Sequence, residues 1–323
     1  MILKKIILFT AVSFVLYSCG SSIIQPENSP LVHIATGNTT KATENTSNSD
    51  NFLLLKPQFA MSYNNSFRHA NWVSWELSTD WLGNADRSDD FRPDTDLPSS
   101  FTEVLASDYT SSGFDRGHLC PSADRTKNKT DNSATFVMSN MIPQSPELNR
   151  NAWANLESYS RKLANDGYLL YIIAGTYGTG GNGSKGDALK LKNNINVPER
   201  VYKIIVATKK NSVDELDKST IVIATDFPNS DEIVQNRDWV RFVTTAEDIE
   251  KRAKVTFFSD ISTSLSSDFK TRLFDYTKSP TTFDTACKQY NGRSLFVGSE
   301  GGCYYFNANG SKNYVTKSLC DCQ

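Results

Sequence analysis

Three apolar runs in the middle of the chain constrain its fold most: Leu169-Leu170-Tyr171-Ile172-Ile173-Ala174, Val201-Tyr202-Lys203-Ile204-Ile205-Val206-Ala207 and Ser219-Thr220-Ile221-Val222-Ile223-Ala224. Each is rich in β-branched residues and offers almost no polar face, so each suits a strand at the centre of a sheet. Asn71-Trp72-Val73-Ser74-Trp75-Glu76-Leu77 alternates polar and apolar residues and reads as a further strand, and Thr135 to Asn140 as a short one. One helix is predicted over Asn149 to Ala164, where Ala152, Leu156, Tyr159 and Leu163 fall along one face. Gly175 to Gly186 is glycine-rich and reads as a surface loop. These segments run from about residue 51 to 276 without an internal repeat, in a chain of 323 residues that can hold one large domain or two smaller ones. A hydrophobic content of 38% beside 22% charged residues is that of an ordinary globular protein.

The amino end carries an address. Lys4 and Lys5 precede an apolar run from Ile6 to Leu16, too short for the ~20 residues a membrane-crossing helix needs, and so read as the core of a secretory signal. It closes on Leu16-Tyr17-Ser18-Cys19-Gly20, which resembles the lipobox of bacterial lipoproteins, with Tyr17 larger than that position usually holds. The resemblance implies a signal over residues 1–19 and a lipid on Cys19, holding an exported protein to the cell envelope on its periplasmic or surface side. A plain cleaved signal with an incidental cysteine is the other reading. Residues 20–50, rich in Ser, Thr, Asn and Gly, read as a disordered tether, and His33 with them as a residue outside any packed site.

Of the six cysteines, Cys287, Cys303, Cys320 and Cys322 crowd the last 37 residues, in a stretch (281–323) set off after Thr277-Lys278-Ser279-Pro280. In an exported protein four such cysteines favour two disulfides, with three connectivities open. A zinc site competes, but the spacings of 15, 16 and one residue lack the usual close pair and no histidine is near. The segment looks like a small stapled appendage for a partner or polymer, with Asn309-Gly310 as a hairpin turn. Cys120 stands alone and reads as a buried free thiol.

The net charge of -2 gives no global field to gather a polyanion, so any attraction for nucleic acid has to be local. Only three histidines exist. His69 precedes a strand and reads as a packing residue. His118 lies in Gly113-Phe114-Asp115-Arg116-Gly117-His118-Leu119-Cys120-Pro121, where a carboxylate, a guanidinium and an imidazole fall within four residues. A surface turn with a salt bridge would look the same. The functional reading is that imidazole suits a general base near neutral pH, and arginine offers a fork matched to phosphate.

Asp115-Arg116-Gly117-His118 followed by Pro121 resembles the signature of the DNA/RNA non-specific endonucleases, the family of secreted bacterial sugar-nonspecific nucleases and mitochondrial endonuclease G within the ββα-metal superfamily. The flanks carry the likeness further: Phe91-Arg92-Pro93-Asp94 and Tyr109 to Phe114 upstream, Phe136 to Gln144 and Leu148 to Glu157 downstream. The resemblance implies an α+β fold, with a ββα-metal core, a central, mainly antiparallel sheet and flanking helices, over residues 51–276. It implies sequence-nonspecific hydrolysis of DNA or RNA that leaves 5′-phosphates. His118 would be the base, and Asn149 the one direct protein ligand of Mg²⁺, with Mn²⁺ or another divalent ion as alternative. Glu157 would act through metal-bound water, and Arg92 and Arg116 would steady developing charge. Asp115 and Asn140 would be supporting residues. Arg125, Lys127 and Lys129 could form a local basic wall, or simply a solvated charged loop. Trp153 reads as core packing on the helix.

Two rival classes stand beside this reading. One is an extracellular nucleic-acid-binding lipoprotein without catalysis, which would need no Asn-held metal. The other is a phosphodiesterase or phosphatase for another anionic ester. A third view gives the biological task to the C-terminal appendage.

Overall fold

The apolar runs pair with one another. In the computed structural model, which describes residues 29–217, 219–235, 238–261, 285–290, 293–297, 303–306 and 312–320, the chain forms in order β1 (Phe52–Leu55), β2 (Ala60–Asn64), β3 (His69–Leu77), β4 (Asp115–His118), α1 (Lys129–Ala134), β5 (Met141–Gln144), α2 (Ala154–Asn165), β6 (Leu169–Tyr177), β7 (Gly181–Gly183), β8 (Gly186–Ala188), β9 (Arg200–Thr208), β10 (Ile221–Pro228), β11 (Val243–Thr244) and α3 (Ala246–Ala253). A seven-stranded sheet runs in the order β1-β2-β3-β6-β9-β10-β11, and its pairs are antiparallel.

The register explains why the central strands lack a polar face. Trp75, Ile172, Ile205 and Ile223 lie in one row across four strands and pack with Trp153, Leu156 and Leu163 of the helix. Their neighbours Tyr171, Ile173, Ile204 and Val222 point to the opposite face, against Ile249 of α3, Phe257 and Phe258. With period two along each strand and both faces covered, alternation disappears from the sequence.

Residues 29–50 belong to this domain and are not the predicted tether. Pro30–Ile34 forms a 3₁₀ turn capped by Ser29, and Ala42 joins the core on the second face. His33 is buried: Nε2 lies 2.8 Å from the Pro57 carbonyl, and Nδ1 accepts from the Glu76 amide. Thr40 accepts from Trp72 Nε1 at 2.8 Å. Few apolar residues suffice because they only cap an existing sheet, and the Asn and Thr side chains satisfy the turns. Burial drops the His33 pKa to about 3, with help from Arg125.

Two further expectations change. Thr135 to Asn140 is not a strand: Val137 makes one bridge to Arg92, and Met138–Asn140 is a 3₁₀ turn. The buried Asn140 side chain takes the backbone partners a ladder would use, donating to the Thr135 and Cys120 carbonyls and accepting from the Cys120 amide. The glycine-rich stretch from Gly175 is partly strand, since β6 continues to Tyr177 and β7 and β8 form a hairpin.

Near the carboxyl end, β12 (Thr285–Tyr290), β13 (Arg293–Val297), β14 (Cys303–Phe306) and β15 (Lys312–Val315) form a separate antiparallel sheet. Cys303 is disulfide-bonded to Cys320, which removes those two thiolates from the zinc reading. Cys120 is a buried free thiol. The signal and Cys19, the 277–280 boundary, the Asn309-Gly310 turn and Cys322 lie outside the described residues, as does the side chain of Cys287. Among the described residues no helix is long and apolar enough to cross a membrane.

Candidate active site

The Asp-Arg-Gly-His segment is β4, paired antiparallel with β5 so that Asp115 faces Gln144 and His118 faces Met141. Gly117 is required there: a Cβ on it would run into the Gln144 side chain, 2.6 Å from that residue's own Cβ. The chain leaves β5 into a π-helical turn, Leu148–Trp153, that runs on into α2. Asn229 pins this junction, its amide donating to the Pro143 and Pro198 carbonyls and its oxygen accepting from the Ser145 amide. Two strands and a helix thus bring residues 115–118 against residues 149–153.

Asp115 joins the two halves. Its Oδ2 accepts from Asn149 Nδ2 at 2.9 Å, and both its oxygens accept from Arg150. The Asn149 amide nitrogen is thereby engaged, leaving the carboxamide oxygen as the atom to meet a cation. Among the described residues no group of three His, Cys, Asp or Glu could cage a metal. One carboxamide oxygen suits an ion that keeps most of its water, as Mg²⁺ does.

His118 is 8% exposed, its ring set edge-on to Phe136 at 4.9 Å, and its Nε2 is buried with no partner in the protein. Its carbonyl accepts from Trp153 Nε1, so Trp153 also ties the helix to the strand. Burial, then Arg87 and Arg116, lower the imidazole pKa to about 3. The ring is therefore neutral near pH 7, and a weaker base than free imidazole.

Arg116 is exposed, with its guanidinium over the Phe91 ring at 4.1 Å. Arg92 is instead held by Asp90 at 2.7 Å and by the Ser133 carbonyl. Arg87 is the second arginine beside His118: it shares the Phe136 ring, 4.8 Å from its centroid, and donates to Ser122. Nothing in the surrounding Asp86 to Asp90 run marks Arg87 out by sequence.

Glu157 faces the buried side of the helix. Its Oε1 lies 3.7 Å from Lys203 Nζ, and that ammonium sits 3.8 Å from the Trp153 ring centroid. Asp124 completes the group, accepting from Arg161 and from Trp75 Nε1. Burial raises the Glu157 pKa against the pull of Lys203 and Arg161. Lys203 was hidden from sequence reading because it interrupts an otherwise apolar strand.

The predicted basic wall does not form as a unit. Arg125 is fully buried, donating to the Gln58, Glu76 and Asp124 carbonyls and stacking on Trp81 at 4.1 Å. Lys127 and Lys129 are exposed. Lys127 lines a cavity of about 910 Å³ with Ala164, Tyr168 and Lys209 at the far end of α2, roughly 24 Å of helix from Asn149. His69 is fully buried with Nδ1 on the Ala70 carbonyl, a packing residue.

Residues 36–264 match the DNA/RNA non-specific endonuclease family. The chain is similar to a nuclease of Nostoc sp., 42% identical over 264 residues, 79% of this chain and 93% of that one. It is similar to human mitochondrial endonuclease G, 32% identical over 65% of this chain and 70% of that one. The solved EndoG/EndoGI complex aligns with a TM-score of 0.59 and 25% identity, over 74% of this chain and 95% of that one. Nucleases of this family depend on a divalent cation. With the motif, the antiparallel sheet and the family match all falling on one stretch, the chain belongs to the DNA/RNA non-specific endonucleases.

Proposed function

We propose that the protein is a metal-dependent endonuclease that hydrolyses DNA or RNA phosphodiesters without sequence preference. The observation that carries the reading is a buried, neutral imidazole with an unpartnered Nε2, on the same two-strand and helix unit as an asparagine whose amide is turned by Asp115. His118 takes the proton from water as it attacks phosphorus, and Arg116 and Arg87 supply fixed positive charge beside it. Asn149 would hold a divalent cation such as Mg²⁺ through its oxygen, and such an ion would supply charge neutralisation at the phosphate and the departing 3′ oxygen. The product then carries a 5′-phosphate. Glu157, braced by Lys203, acts through water and through the helix that carries Asn149. Contacts made mainly to phosphate would leave cleavage indifferent to sequence.

Plasmid nicking and RNA degradation with and without EDTA test this. Cutting is expected to stop in EDTA and to fall about 10²–10⁴-fold in His118→Ala, the range for loss of a general base. Cleavage that persists in EDTA, or binding without any cleavage, would sink the proposal, the latter in favour of a non-catalytic binder. A small phosphodiester cut faster than polymer would favour the other ester reading.

A further inference from the structure

Beside the catalytic strand sits an element that the chemistry above does not use. The β7–β8 hairpin turns at Ser184 and Lys185, and that turn is docked on the residues leading into β4. The Ser184 amide donates to the Gly113 carbonyl at 2.9 Å, and Lys185 Nζ donates to the Ser111 carbonyl at 2.9 Å. The approach is close enough that a Cβ on Gly113 would lie 3.0 Å from Lys185 Cβ, and one on Gly183 would meet the Phe114 ring at 2.9 Å. Ser111 and Gly113 both take positive φ, 60° and 89°, to shape this seat. At its root the hairpin is held by Asn229, whose carbonyl accepts from the Asn182 amide; the same Asn229 pins the turn after β5. The hairpin is thus fixed to both sides of the catalytic unit.

An exposed lysine folded down onto a backbone carbonyl has surrendered much of its freedom. Its ammonium has three donors and the carbonyl takes one. The single carboxylate of the hairpin, Asp187, is turned onto Asn182 at 2.8 Å. Arg116, also exposed, lies on β4, the strand that this seat leads into. In a chain of net charge -2, such preset local cations must supply the attraction.

We propose that Lys185 is a substrate-binding residue that takes a backbone phosphate away from the scissile one, giving the enzyme a preference for longer strands. This rests on the nuclease reading. The test compares Lys185→Ala and Lys185→Arg with the wild-type full chain, using a dinucleotide, an eight-base strand and a duplex of about thirty base pairs. Lys251→Ala, a 66% exposed lysine paired with Glu247 on α3, reports what losing any surface cation does. In Lys185→Ala the KM is expected to rise several-fold on the duplex and progressively less on shorter substrates, with kcat kept and Lys185→Arg restoring it. Duplex binding measured in EDTA should lose about 0.9 from its log–log salt slope, the value for one phosphate contact. A length-independent loss, a fall in kcat with KM unchanged, or a salt slope equal to that of Lys251→Ala would overturn the assignment. A wild-type chain that cuts none of the three substrates would defeat the nuclease reading itself, a separate outcome.

Discussion

Free imidazole, near 6.5, is already largely neutral at pH 7, and around His118 burial and two guanidinium groups hold the ring in that neutral form at a cost in basicity. The four-residue motif stands out because its members are contiguous, and the roles proposed for Asp115 and His118 follow from residue type. The role proposed for Asn149 comes from the family resemblance, and the structure adds what orients that side chain, the Asp115 carboxylate. The second arginine was not legible. Arg92 and Arg87 lie five apart in the same loop and each pairs with a nearby acid, Asp90 and Asp89, and only the fold shows that it is Arg87 that reaches the Phe136 ring beside His118. Arg87→Ala is accordingly expected to lower kcat/KM by ten-fold or more, a loss of at least ~1.4 kcal/mol of transition-state stabilisation, while Arg92→Ala stays within about three-fold. Single-turnover cleavage of a duplex decides it, and the reverse order would return the role to Arg92.

Elements were readable where hydrophobic pattern alone sets them. The three central strands and the helix carrying Leu156 and Leu163 fall where their apolar spacing put them. The segment over residues 29–50 was not readable, because its composition is that of a free linker and its order comes from capping a sheet built elsewhere. His33 is its anchor, and this has a consequence for acid stability. The imidazole titrates near 6.5 when unfolded and at about 3 in the fold, so between those values the unfolded chain holds more protons and stability falls as pH drops. Each pH unit in that window costs about 1.4 kcal/mol for one such group. His69 and His118, lowered to about 4 and about 3, act in the same sense, whereas Asp238, raised to about 6 by burial, acts oppositely. The His33 contribution is therefore read as a difference. In urea unfolding the gap between wild type and His33→Asn should be widest at pH 7 and shrink as pH falls toward 4. Parallel curves would show that His33 does not couple the amino-terminal segment to pH.

On the scale of the whole molecule, the folded amino-terminal segment bears on the anchor we propose at Cys19, because it sets how far the domain would stand from a lipid surface. A lipid on Cys19 followed by a free tether to residue 50 would allow a reach of about 100 Å at 3.3–3.6 Å per residue. The first turn of the domain opens at Pro30, eleven residues after Cys19, a span of at most about 40 Å by the same rule. An anchored enzyme would then work close to the lipid surface, on polymer that comes to it. The anchor is our proposal from the Ser18-Cys19 site and the apolar run before it. Cys19→Ala is expected to move nuclease activity from the membrane pellet to the soluble fraction with its specific activity on duplex unchanged. A Cys19→Ala protein that still sediments with membranes would mean that something other than this lipid holds it there, and the short-reach geometry would lose its basis.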